Sequence, residues 1–154
     1  MDKKPSRPED ARQKLLRRVG TALQDLIRNA ETARELAARS QNLHPTDFAC
    51  IGLLYRVGEP ISPKQIIEQL NLSSGSGTAL LDRLEKAGYI KRLPNPDDRR
   101  SVLIEMDEEK AAEPLRRYRE IEQKYLRVTE NLTERDLEML AQFMEGITAL
   151  AGSQ

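Results

Sequence analysis

The chain has little of several residue types, and each shortage removes a class of function. Cysteine occurs once, at Cys50, so no internal disulfide can form and a reducing cytoplasm is the expected compartment. Histidine occurs once, at His44, which leaves no His-rich metal site. Tryptophan is absent and aromatics make up only 4% of the residues, so Leu, Ile, Val and Ala must build the core. No apolar run approaches the ~20 residues of a membrane-spanning helix, and no membrane partner is expected. The first residues, Met1-Asp2-Lys3-Lys4-Pro5, are charged and lack the apolar centre of a signal peptide. Charge of one sign is not in excess either: 25 Lys and Arg balance 25 Asp and Glu. A protein that coats nucleic acid by bulk charge is therefore not expected, although a local basic patch is still open. No Gly-rich phosphate loop, acid pair or nucleophile triad can be assembled, so no enzyme, catalytic residue, metal or cofactor is expected.

What is present is helical patterning. Residues 1–8 hold charges and two prolines and read as a loose tail. From about Glu9, the residues Leu15, Leu16, Val19, Leu23, Leu26, Ile27 and Ala30 recur at steps of three and four. Such a long stripe is hard to bury on a small domain, so a partner chain is implied. Asn42-Leu43-His44-Pro45 breaks the pattern. A shorter helix with Phe48, Ile51, Leu53, Leu54 and Val57 ends at Gly58-Glu59-Pro60.

The next helix is signposted by Ser62 as N-cap, Pro63 at N1 and Gln65 at N3, a capping box, with Ile61 and Ile66 at the staple positions. Asn71 supplies a turn. A fourth helix, capped by Ser73 or Ser74, carries Leu80, Leu81, Leu84 and Ala87 and closes at Gly88. Two helices joined by a short turn form a helix-turn-helix. Residues 89–93 and 101–106 read as short strands. The loop between them, Pro94-Asn95-Pro96-Asp97-Asp98-Arg99-Arg100, makes a hairpin wing. Asp107 starts a further helix that Pro114 should kink. Thr133 with Asp136 at N3 caps the last one, along Leu137, Leu140, Phe143, Met144, Ile147 and Leu150.

The fold expected is mainly α with a small β-hairpin wing: a winged helix-turn-helix. It is read as one domain over 9–154. Residues 45–106 form the winged lobe, and 9–41 with 107–151 supply helices for an obligate dimer.

Turning Leu80, Leu81 and Leu84 inward leaves Gly75, Thr78, Ala79, Asp82 and Lys86 outward, flanked by Ser76 and Arg83. Small residues let a helix sit deep in a major groove, where Ser and Thr hydroxyls can meet phosphates or base edges. The helix N-terminus at Ser73 and Ser74 favours phosphate. Arg99 and Arg100 suit a narrow minor groove. Lys64 is read either as a further phosphate contact or, equally, as a solvated side chain. Between Lys91 and Arg100, four basic residues face two acidic ones, the clearest basic excess in this half of the chain.

The order of elements, Pro45-Thr46-Asp47-Phe48, Ser73-Ser74-Gly75-Ser76, the run from Leu81 through Asp82-Arg83-Leu84-Glu85-Lys86-Ala87-Gly88 to Ile90, and Asn95-Pro96-Asp97-Asp98-Arg99-Arg100-Ser101-Val102 together resemble the MarR family of transcriptional regulators. The resemblance implies a cytoplasmic homodimer held by the first helix and the last two. Such a dimer would bind a pseudo-palindromic DNA operator, typically as a repressor. It also implies that Asp98 orients a wing arginine. A small phenolic or lipophilic effector would sit between the dimer helices and the reading lobe, where Tyr55, Tyr118 and Tyr125 could line its pocket. Some relatives sense oxidants through a cysteine of the first helix, whereas Cys50 lies in the second and reads as a small buried hydrophobe. The chain departs from the family in one respect. Members often carry a basic or larger polar residue where Gly77, Ala79 and Leu80 stand here. Two glycines in a helix cost ~1 kcal/mol each relative to alanine. The alternative is a winged-helix protein-interaction module without DNA binding.

Overall fold

The computed structural model describes residues 8–151. Residues 1–7 and 152–154, and so most of the expected tail, lie outside the described residues. The element order is α1 (Pro8–Ser40), α2 (Pro45–Val57), α3 (Pro63–Gln69), α4 (Ser74–Lys86), β1 (Ile90–Pro94), β2 (Val102–Met106), α5 (Ala112–Leu126) and α6 (Glu134–Ala151). A single 3-10 turn at Arg127–Thr129 precedes α6. Two compact units divide between Leu115 and Arg116.

In the first unit, local chemistry sets each boundary. His44 caps α2 by accepting the Thr46 N–H on its ring, with Pro45 in the first turn. Gly58 ends α2 in the left-handed region at φ 72°, where a side chain would be strained, and its N–H returns to the Leu54 carbonyl. Ser62 and Gln65 make the reciprocal capping box of α3. Ser73 caps α4, its hydroxyl accepting the Ser76 N–H at 3.2 Å. β1 and β2 pair antiparallel from Ile90↔Met106 to Pro94↔Val102. Ile61 adds a one-residue bridge to Ile104.

These elements surround one core. Ile51, Leu53 and Leu54 of α2 meet Ile66 of α3, Leu80, Leu81 and Leu84 of α4, and Ile90 and Ile104 of the hairpin. Burial of each such side chain stabilises by roughly 1.5–3 kcal/mol. α1 packs on α2. Ala37 and Ala38, near its C-terminus, are the buried residues of α1 among those described. Of the rest of its apolar stripe, Leu15, Leu16, Val19, Leu26 and Ile27 are exposed, and Leu23, Ala30 and Ala33 are half-buried.

One expectation is corrected here. The helix placed from Asp107 begins at Ala112. Asp107 instead caps a preceding turn, accepting the Lys110 N–H at 3.1 Å. Pro114 therefore falls in the first turn of α5, where a backbone N–H has no intrahelical partner, and the lost donor costs the helix no bond.

In the second unit, Thr133 and Asp136 exchange hydrogen bonds at the start of α6. No described side chain of α6 is buried, and Leu137, Met139, Leu140, Phe143, Met144 and Leu150 are exposed.

Candidate nucleic-acid interface

The helix α4 presents the face that its periodicity predicts. Leu80, Leu81 and Leu84 are buried, while Ser74, Gly75, Ser76, Thr78, Ala79, Asp82, Arg83 and Lys86 are exposed. The two glycines differ in kind. Gly75 lies in the first turn and a Cβ there would meet nothing within 4 Å. Gly77 is buried, and a Cβ there would stand 2.2 Å from Ile67 Cγ1 of α3. Glycine at 77 lets the two helices approach.

The hydroxyls of this face are partly engaged. Ser73 Oγ donates to Ser76 Oγ at 2.9 Å while it caps the helix. Thr78 Oγ1 donates to the Ser74 carbonyl at 3.0 Å. Thr78 thus turns its hydrogen back along the helix and keeps its acceptor capacity and its methyl for a partner.

The basic residues sort into paired and unpaired. Arg83 reaches across to α2, where Nη2 donates to Asp47 Oδ1 at 2.6 Å and Nε to Oδ2 at 3.4 Å. That hydrogen bond raises the Arg83 pKa. Asp47 is the buried charged residue of the core region, at 6% exposure. Arg92 of β1 spans to α4, donating to Asp82 at 2.6 Å and Glu85 at 2.5 Å. Lys91 pairs with Asp107 at 2.7 Å. Each partner holds its cation charged, the Asp82 hydrogen bond leading for Arg92 and the Asp107 hydrogen bond for Lys91. The basic excess read from residues 91–100 is therefore corrected: two of its four cations are matched by carboxylates that lie outside that window. Lys64 is exposed and sits 3.8 Å from Glu68.

Arg99 and Arg100 make no ion pair among the described residues and are exposed at the hairpin tip. The tip is held by its own polar groups. Asp98 Oδ1 accepts the Arg100 N–H at 2.9 Å, and the Asp98 carbonyl accepts the Ser101 N–H. Asn95 donates to Ser101 Oγ at 2.9 Å. The Asp98 carboxylate thus meets the backbone of Arg100, not its side chain.

Tyr55 is half-buried and lines a groove of about 220 Å³ with Leu54, Pro60 and Met106, where Glu59, Glu105 and Glu108 also stand. Tyr118 and Tyr125 belong to the second unit. Cys50 is fully buried, and burial, aided by the Asp47 charge, pushes its thiol up to about 12. A thiol so protonated is a poor nucleophile for oxidants.

Sequence patterning missed Asp47 and Glu85 as parts of this surface, and the pairing of Arg92 with Asp82 and Glu85. The Arg83–Asp47 pair joins residues 36 apart, and no local spacing announces it. Among the described residues, no helix is long and apolar enough to cross a membrane.

Comparison with known proteins agrees with this geometry. Residues 43–102 match the model of the MarR family. The HTH-type transcriptional regulator YcgE of Bacillus subtilis is 44% identical over 70 residues, which cover 46% of this chain and 45% of that protein. The chain thus spans about half the length of the curated relatives it matches. Among solved structures, a mutant MarR from E. coli complexed with operator DNA superposes with a TM-score of 0.59 at 23% identity, covering 84% of this chain and 92% of that one. NadR in complex with 4-hydroxyphenylacetate superposes with a TM-score of 0.68 at 22% identity, covering 84% and 91%. Residues 43–102 thus carry the sequence pattern of the MarR family, and more than four fifths of the chain shares the fold of these solved structures.

Proposed function

We propose that the protein is a sequence-specific transcriptional regulator that binds a pseudo-palindromic operator as a homodimer, acting as a repressor that a small effector releases. One observation carries the reading. The small-residue face of α4 and the unpaired Arg99 and Arg100 of the hairpin belong to one compact unit. A helix of small residues suits the major groove, and loop arginines suit the minor groove beside it. The relative whose structure contains operator DNA shares this fold.

The dimer reading rests on apolar surface. Leu15, Leu16, Val19 and Ile27 of α1 and Leu137, Leu140, Phe143 and Met144 of α6 are each at least 38% exposed. Two unpartnered apolar stripes of this length fit a second copy of the chain. The winged lobe (45–106) then reads DNA, and residues 9–41 and 107–151 hold the dimer. Successive major grooves about 34 Å apart set the half-site spacing. NadR with its bound phenolic acid supports an effector of that class, with Tyr55 the tyrosine of the first unit that lines a groove.

The test is DNA selection with the purified protein, followed by titration of the Arg99→Ala/Arg100→Ala variant over a salt series. An enriched palindrome is expected. The plot of log affinity against log salt should flatten by ~0.9 for each phosphate that the variant no longer neutralises. Unchanged affinity and slope would remove the wing from the interface. Absence of any enriched sequence would favour a protein-interaction module.

A further inference from the structure

Arg83, Lys91 and Arg92 are each matched by carboxylates, and the Asp47–Arg83 pair is unlike the other two. Its carboxylate is buried in the first turn of α2, with a side chain 8% exposed against 47% for Arg83. It grips the guanidinium on two nitrogen atoms. Arg83 continues the row Ser76, Ala79, Arg83 along α4, at helical steps of three and four, and all three are exposed. That row belongs to the face assigned above to the major groove. An arginine there without a partner would meet the phosphates of any duplex.

We propose that Asp47 is a specificity-determining residue of this surface, because it keeps Arg83 neutralised and so withdraws one sequence-blind phosphate contact from each chain. The proposal rests on the DNA-binding reading. A cation placed on a phosphate gains its free energy chiefly from the counterion it displaces. An arginine already matched by a fixed carboxylate displaces none on balance. Burial holds Asp47 in place and limits screening by salt. Non-specific binding is almost wholly phosphate contact, whereas specific binding also draws on base edges. Removing a phosphate contact therefore weakens the first more than the second and widens the ratio between them.

The experiment titrates full-length protein with a random-sequence duplex by fluorescence anisotropy over a salt series, with circular dichroism to verify folding. Asp47→Asn should bind this duplex more tightly. Its slope should steepen by ~0.9 per chain, which is about a fivefold gain per chain near 0.15 M salt. Asp47→Asn/Arg83→Gln replaces the ion pair with a neutral amide pair that can still hydrogen-bond. It should keep the wild-type slope, because no phosphate contact is gained or lost. If Asp47→Asn does not fold, the double variant decides alone. A wild-type slope supports the proposal, and a slope shallower by ~0.9 per chain shows that Arg83 already works on phosphate and overturns it. Folded Asp47→Asn with unchanged slope overturns it as well. Wild-type protein that retains no duplex even at low salt refutes the DNA-binding reading itself.

Discussion

Alanine at position 77 would place its Cβ 2.2 Å from Ile67 Cγ1 and 2.6 Å from Cδ1. Both distances are far inside van der Waals contact, and the nearer atom is not the end of the side chain. Isoleucine is stiff at χ1, so it cannot swing aside cheaply. Either Ile67 leaves its rotamer or α3 retreats from α4. Overpacking of this kind costs about 1–3 kcal/mol, and so severe an overlap belongs near the top of that range. Against it stands the helix propensity of alanine over glycine, ~1 kcal/mol. The net expectation for Gly77→Ala is destabilisation of about 2 kcal/mol. At about 2–4 °C per kcal/mol for a protein of this size, Tm should fall by roughly 4–8 °C. Gly75→Ala is the control, since its Cβ meets open space and should stabilise by up to ~1 kcal/mol. Urea and thermal denaturation at one fixed protein concentration measure both, because dimerisation would make Tm depend on concentration. A double-mutant cycle with Ile67→Ala should recover much of the Gly77→Ala loss as coupling energy. Gly77→Ala as stable as Gly75→Ala would refute the claim that helix approach requires this glycine.

Other outcomes follow from the paired charges and the buried thiol. Arg92→Gln strips the partner from Asp82 and Glu85, so DNA affinity should fall while stability changes by no more than ~1 kcal/mol. Equal loss of both would make Arg92 a structural tie only. Asp107 and Asp136 are held below the ordinary aspartate value of 3.8, first by Lys91 and by the Thr133 hydroxyl respectively. Their stabilisation is present in full above that value and is lost as pH falls through the lowered folded values. Asp107→Asn and Asp136→Asn should flatten the acid limb of the urea midpoint, and an unaltered limb would count against the sign argued. Cys50 should resist thiol reagents near neutral pH in the folded protein and react once urea unfolds it. Rapid labelling of folded protein would reopen a redox role.

Much of the fold was legible in the order of residues because it is specified locally. Ser62-Pro63-Lys64-Gln65 closes its capping box within four residues, and Thr133 with Asp136 does the same. Gly58 ends its helix through its own backbone freedom. Helical periodicity likewise sorted the buried leucines of α4 from its exposed face, because the 3.6-residue repeat is a property of the chain itself. The choice between Ser73 and Ser74 as cap was open, since either hydroxyl could serve, and the Ser76 N–H settles it on Ser73.

The electrostatics of the reading surface could not be had that way. Counting charges in a window made residues 91–100 look basic, yet Lys91 and Arg92 find their carboxylates on a following turn and on α4. Arg83 looked outward by periodicity, and its side chain pairs with an aspartate in the first turn of α2. Gly77 read as a helix weakness, and the neighbour that explains it is on α3. In each case the deciding partner is brought near by packing and lies at no fixed sequence spacing. Capping and periodicity act over a few residues, so the order of residues was enough to mark the helices, turns and hairpin, the start of α5 excepted. Only the tertiary structure decided which cations around α4 remain unpaired, because ion pairing depends on distance in space.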